Sequence, residues 1–160
     1  MKTLAACVLS LWAIGAIAAG PAVVNMEGAE DAVSRHVGKG QWTLVMVWST
    51  ACHICQHETP TINAYHQNNK GGRIKVMGVA INGYQRKNAI EAFREKYSMR
   101  FPTLVADPAQ YLRMYKAETG EGFRGTPTFL LYDREGNLTG LNLGALDVAA
   151  LDKFIDANEG

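Results

Sequence analysis

The chain has 160 residues, of which 48% are hydrophobic, 19% charged and 9% aromatic, enough apolar material for one ordinary domain with its own core. That excludes a disordered or low-complexity protein. Sixteen Lys and Arg oppose fifteen Asp and Glu, for a formal charge of +1 with no run of like charge, which argues against nucleic acid or an anionic membrane surface as a partner.

From the N-terminus, Lys2 precedes an apolar or weakly polar stretch over residues 4–19 that ends in Ala16-Ile17-Ala18. Small residues at the first and third of those positions fit a signal peptidase site. Residues 1–18 therefore read as a secretory signal peptide and residues 19–160 as a single mature domain. The stretch falls short of the roughly 20 residues of a spanning helix, which makes an uncleaved anchor the weaker alternative. Cleavage would remove Cys7 and leave two of the three cysteines, Cys52 and Cys55. Export implies an oxidising compartment, the bacterial periplasm, where such a pair can hold a disulfide.

Ala29, Ala32, Val33, His36 and Val37 follow helical spacing. The seven residues Trp-Thr-Leu-Val-Met-Val-Trp at 42–48 are nearly all apolar and β-prone, as expected of a strand buried on both faces at the centre of a sheet. Residues 52–69 turn helical, interrupted by Pro60 and ended by Gly71-Gly72, and residues 73–81 read as a second strand joined to the first by a parallel crossover. Ala89, Ile90, Phe93 and Tyr97 outline an amphipathic helix, and residues 101–105 a short strand. Asp107-Pro108 looks like the cap and first turn of a helix through Tyr111, Leu112 and Tyr115. Two further strands, 128–132 and 138–143, flank Asp133-Arg134-Glu135-Gly136-Asn137, which is hairpin chemistry. A last helix capped by Asp147 would bury Val148, Leu151 and Ile155. The sum is an α/β fold, a central mixed β-sheet flanked by helices.

The chemistry concentrates in Cys52-His53-Ile54-Cys55, which sets two thiols just past the C-terminal end of the central strand and in the first turn of the helix that follows. Unpaired amides and the helix dipole favour negative charge there, so Cys52 is expected to be a thiolate nucleophile. Cys55, one turn on, is expected to be more buried and close enough to resolve a mixed disulfide formed at Cys52.

These residues bring the chain to a family. It resembles the thioredoxin-like periplasmic thiol-disulfide oxidoreductases of the TlpA/ResA type over about residues 40–146. The resemblance rests on the apolar strand ending in Trp48 ahead of the cysteine pair, on Glu58-Thr59-Pro60, on Gly125-Thr126-Pro127-Thr128-Phe129, and on the strand and turn at 130–136. It implies a thioredoxin-like fold and a protein-disulfide oxidoreductase that needs no metal or organic cofactor. It also implies a cis Pro127 facing the cysteines, with the backbone of Thr126 held open for an extended substrate segment. Glu58 would lie on the buried side of the helix and move a proton to or from Cys55. Cytoplasmic thioredoxins carry an aspartate on the preceding strand for that purpose, and Met46 stands at that position here. With Thr126 and Pro127, the residues His53, Ile54 and Trp48 complete the expected substrate surface. A membrane thiol donor would reduce the protein again, substrates would be periplasmic proteins such as apocytochrome c, and the protein is expected to be a monomer.

Two departures qualify the resemblance. Ala51 replaces the tryptophan common before the first cysteine, and the dipeptide between the cysteines is His53-Ile54, with no proline. A charged His53 would stabilise the thiolate and make the pair more oxidising, so a dithiol oxidase or isomerase is the alternative within the class. From another class, His53 and His57 would join Cys52 or Cys55 in a copper carrier, a reading weakened by the lack of a Cys-x-x-x-Cys spacing and of a distal histidine. A purely structural disulfide would close too short a loop to stabilise much. Gln56 after Cys55 excludes a c-type haem site, and Val45, four residues before Ser49 where a proline is expected, disfavours a peroxiredoxin.

Overall fold

The computed structural model describes residues 22–159; the expected signal peptide, residues 1–18, and Cys7 lie outside the described residues. Six strands, β1 (Val23–Val24), β2 (Trp42–Trp48), β3 (Ile74–Ala80), β4 (Thr103–Ala106), β5 (Thr128–Tyr132) and β6 (Leu138–Leu143), form one sheet in the order β1-β4-β3-β2-β5-β6 among the described residues. Helices α1 (His53–Asn68), α2 (Lys87–Lys96), α3 (Pro108–Thr119) and α4 (Val148–Ala157) cover it.

Strand β2 holds the middle because every one of its residues is buried, which only an apolar and β-branched run tolerates. Its side chains alternate between the two faces of the sheet. Leu44, Met46 and Trp48 pack with Cys55, Ile62 and Tyr65 of α1, Ile90 and Phe93 of α2, and Leu151 and Ile155 of α4. Val45 and Val47 pack on the opposite face with Tyr111 and Tyr115 of α3. Helices α1 and α2 are the crossovers that make β2, β3 and β4 parallel, whereas β5 runs antiparallel to β2, and β6 to β5.

The caps follow the sequence. The Asp107 carboxylate accepts from the Gln110 amide at 2.9 Å with Pro108 in the first turn, and Asp147 accepts from the Ala149 and Ala150 amides at 2.9 and 3.1 Å. Within α4, Leu151 and Ile155 are buried and Val148 packs partly buried at the edge of the same cluster.

Three expectations are corrected and one element is new. Residues 29–37 form only a single 3-10 turn, Val33–Arg35, because Asp31 takes the Ala32 amide at 2.7 Å and the His36 ring at 3.0 Å, while Gly28 and Gly38 turn the chain at positive φ on either side. Helix α1 runs unbroken through Pro60, which is exposed, so its ring meets solvent and not the core and only the one bond to the Gln56 carbonyl is given up. The fourth strand starts at Thr103 and not at residue 101, since Pro102 has no amide to give the ladder and only its carbonyl joins, accepting from Gly78 at 2.7 Å. The two-residue β1, pairing antiparallel with β4, was not expected at all.

The β5–β6 hairpin turns on Asp133. Its carboxylate accepts from the Glu135 amide at 3.0 Å, the Asn137 amide at 2.8 Å and the Asn137 side chain at 2.9 Å. Burial alone would raise this carboxyl, but the Asn137 and backbone donors outweigh it and hold it below its ordinary value of 3.8. A depressed folded-state value stabilises the fold above 3.8, and that contribution is lost as pH falls through and below this value. An Asp133→Ala variant is expected to lose about 1–2 kcal/mol at neutral pH. Thermal melts at about pH 6 and about pH 3 should show the wild type losing more stability on acidification than Asp133→Ala; equal losses would remove Asp133 from the account.

Candidate active site

Strand β2 stops at Trp48, and the next four residues fold back so that Cys52 caps α1. The Cys52 amide donates to the Ser49 carbonyl at 3.1 Å. One residue before Ala51, Thr50 is clamped by the loop that follows the neighbouring strand: its amide donates to Asn82 Oδ1 at 3.1 Å, and Asn82 Nδ2 donates to Thr50 Oγ1 at 3.0 Å. Asn82 follows β3, so the parallel register of β2 and β3 brings the two loops to one sheet end.

Cys52 has extended backbone angles, φ −83° and ψ 107°, and its Sγ accepts from the Cys55 amide at 3.0 Å. The sulfur thus stands in for the oxygen of an ordinary N-cap residue, at the positive end of α1. Once the pair is reduced, both interactions would favour a thiolate over a thiol at this position. Cys52 and Cys55 are joined as a disulfide with their Cα atoms 5.2 Å apart. The two sulfurs are not equivalent: Cys52 keeps 8% of its surface in contact with solvent and Cys55 none. An incoming thiol or disulfide can meet only the first.

Because β5 is antiparallel to β2 with Val47 opposite Thr128, the residues just before Thr128 lie at the same sheet end as the cysteines. The Thr126–Pro127 peptide there is cis. Pro127 is buried and its carbonyl accepts from the Gly144 amide at 2.9 Å, while the Thr128 hydroxyl donates to the Gly125 carbonyl at 2.6 Å. These bonds fix both sides of Thr126. Thr126 is half-exposed, and among the described residues its own amide and carbonyl form no hydrogen bond.

Glu58 lies one turn beyond Cys55 on α1, half-buried, and its carboxylate accepts from the Leu146 amide at 2.9 Å. The carboxyl is therefore tied to the segment leading into α4. Met46 is fully buried in the same apolar cluster as Cys55, so β2 supplies no acid there. His53 and Ile54 are exposed on the first turn, Ile54 at 48%, and His57 is exposed one turn further.

Trp48 is corrected. Its side chain is wholly buried, stacked on Phe93 at 4.6 Å between ring centroids, and it offers no surface to a substrate. The site for its ring exists because Gly78 stands beside it in β3: a Cβ at Gly78 would come within 2.9 Å of Trp48 Nε1 and 3.1 Å of Phe101. Trp48 supports the end of β2 from below. Sequence reasoning missed the Asn82 clamp and the Leu146 amide; the only local signal for the first was Asn82-Gly83, a turn pair after an apolar strand. No group of three or more His, Cys, Asp or Glu comes together for a metal ion among the described residues, and none of their helices is long and apolar enough to cross a membrane.

The family described as AhpC/TSA matches residues 15–140. The chain is 23% identical over 145 residues to the thiol-disulfide oxidoreductase ResA of Geobacillus kaustophilus, an alignment covering 91% of this chain and 78% of the relative. It is 22% identical over 137 residues to the sporulation thiol-disulfide oxidoreductase A of Bacillus subtilis, covering 85% and 79%. Among solved structures, a thioredoxin-family thiol:disulfide interchange protein from Chlorobium tepidum superposes with a TM-score of 0.68 at 21% identity, over 86% of this chain and 91% of that one. StoA from Bacillus subtilis superposes with a TM-score of 0.63 at 21% identity, over 84% and 97%. The fold is thioredoxin-like.

Proposed function

The chain belongs to the AhpC/TSA family and is a thioredoxin-like thiol-disulfide oxidoreductase, and on that premise we propose that it reduces disulfides of periplasmic proteins by cycling Cys52 and Cys55. The observation that carries this reading is the asymmetry of the pair, an outer sulfur on the helix cap and an inner one sealed in the core. In the reduced protein the Cys52 thiolate attacks one sulfur of a partner disulfide. The partner's S–S bond breaks, its other sulfur leaves as a thiolate and takes up a proton, and a mixed disulfide joins the two proteins. Cys55 then gives up its proton and attacks Cys52 Sγ; the partner's second thiol is released, and two electrons have passed to the substrate.

Glu58 is the group we assign to the Cys55 proton, and the free backbone of Thr126, with Pro127, to pairing with an extended substrate segment, with His53 and Ile54 on its border. Residues 1–18 act as the export signal and residues 19–160 as the working domain. A membrane thiol donor returns the electrons, and apocytochrome c is a candidate substrate. The exposed His53 beside Cys52 favours the second reading, a dithiol oxidase, because an imidazolium there stabilises the thiolate and so the reduced form.

Equilibration against glutathione buffers separates the two. A potential near about −270 mV supports the reductase, and one near about −120 mV makes the protein an oxidant. For Glu58, the Gln variant keeps an acceptor for the Leu146 amide and removes the proton site. Stopped-flow measurement of mixed-disulfide resolution should show Glu58→Gln slower by about ten- to a hundredfold with a flattened pH profile; an unchanged profile would leave Glu58 a structural link only.

A further inference from the structure

We propose that His53 and His57 bind a divalent transition-metal ion, copper(II) foremost, on the exposed face of the first two turns of α1. The residues are four apart in a helix, so their side chains rise from one face. Their Nε2 atoms stand 3.4 Å apart, with ring centroids at 4.6 Å and ring planes at 66°. Two imidazole nitrogens bound at about 2.05 Å to one ion lie about 3.3 Å from each other at a tetrahedral angle and about 2.9 Å at the right angle that copper(II) favours, a closure of roughly half an ångström that two exposed side chains can make. The spacing on the helix is therefore already that of a two-nitrogen chelate, and no side chain has to move far to close on an ion.

Imidazole is a ligand for copper, zinc and nickel alike, and the general order of affinities puts copper(II) first. Both rings are exposed, so an ion can reach them from solvent. The other described histidines lack this freedom: His36 is held by the Asp31 carboxylate at 3.0 Å, and His66 packs edge-on against Phe101. No third His, Cys, Asp or Glu joins the pair among the described residues, so water or a small ligand completes the shell. The positive end of α1 weakens a cation there. Two protein donors, open positions and an opposing dipole make an exchangeable ion and not a resident cofactor. The inference stands on the imidazole geometry and is independent of the direction in which Cys52 and Cys55 exchange electrons.

The test uses the full mature protein, untagged and oxidised, so that the Cys52–Cys55 disulfide withholds both thiolates. Copper(II) sulfate is titrated and followed by calorimetry and electron paramagnetic resonance. One equivalent should bind with a two-nitrogen signature. Binding should weaken at least about tenfold in His57→Ala, since losing one of two linked donors forfeits the chelate advantage. Zinc should bind more weakly than copper, and His36→Ala and His66→Ala should bind copper as the wild type does. His57 is exposed and its ring meets only that of His53, so a thermal melt of His57→Ala in metal-free buffer, equal to that of wild type, shows that it is folded. Absence of saturable binding overturns the proposal, as does binding that His57→Ala leaves intact or that His66→Ala removes.

Discussion

A Cys55→Ser variant should stop turning over and accumulate covalent complexes with protein partners through Cys52, while Cys52→Ser should lose disulfide exchange by about a thousandfold or more and accumulate none. The contrast follows from burial. Cys52 caps α1, accepts from the Cys55 amide and keeps the pair's only solvent contact, 8% of the residue, so in the proposed cycle it is the one that meets a partner. Cys55 has no solvent contact, and in the proposed cycle it attacks only a bond already made to Cys52. With serine at 55 the first step proceeds and the second has no nucleophile. Non-reducing gels followed by mass spectrometry of the trapped species read the result and identify the substrates together. Complexes that form equally in Cys52→Ser would overturn the assignment of the two roles.

The largest loss of stability should come from Trp48→Ala, about 3–5 kcal/mol, with a fall in Tm of roughly 10 °C or more. The indole is fully buried against Phe93 and fills the recess that Gly78 leaves in the neighbouring strand. The backbone around it is pinned by β3 on one side and β5 on the other and cannot collapse into the void. Calorimetry measures the loss. A loss below about 1 kcal/mol would mean the recess closes; that size is expected of a volume-conserving swap and not of a truncation. The partners trapped on Cys52 in a Trp48→Phe, Cys55→Ser background should match those of Cys55→Ser, because the ring never reaches the surface.

The central features were legible because they are local. Trp42–Trp48 announces a buried strand by its unbroken apolar run, the hairpin by Asp133 and its neighbours, and the chemistry by two cysteines at a strand-to-helix junction. Residues 29–37 carried helical spacing but not helical capping, and the side chain of Asp31 bonded the backbone locally instead. Strand β1 has two residues and so no period to detect. What the sequence could not display were contacts across long separations, Asn82 with Thr50 and Glu58 with the Leu146 amide, which exist only once the sheet is assembled. Trp48 was misread for the same reason: its burial depends on Gly78 and on Phe93 of α2, both supplied by later parts of the chain.

The antiparallel pairing of β2 with β5 also divides the site into a local and a long-range part. Cys52 and Thr126 are more than seventy residues apart in sequence, yet they lie at one end of the sheet because Val47 pairs with Thr128. Cysteines as close as Cys52 and Cys55 meet freely in an unfolded chain, whereas the Thr126–Pro127 loop takes its place only when β5 pairs with β2 across some eighty residues of chain, a closure that costs more loop entropy. The cysteine pair is thus local in the chain, while the loop at the same sheet end depends on the assembled sheet.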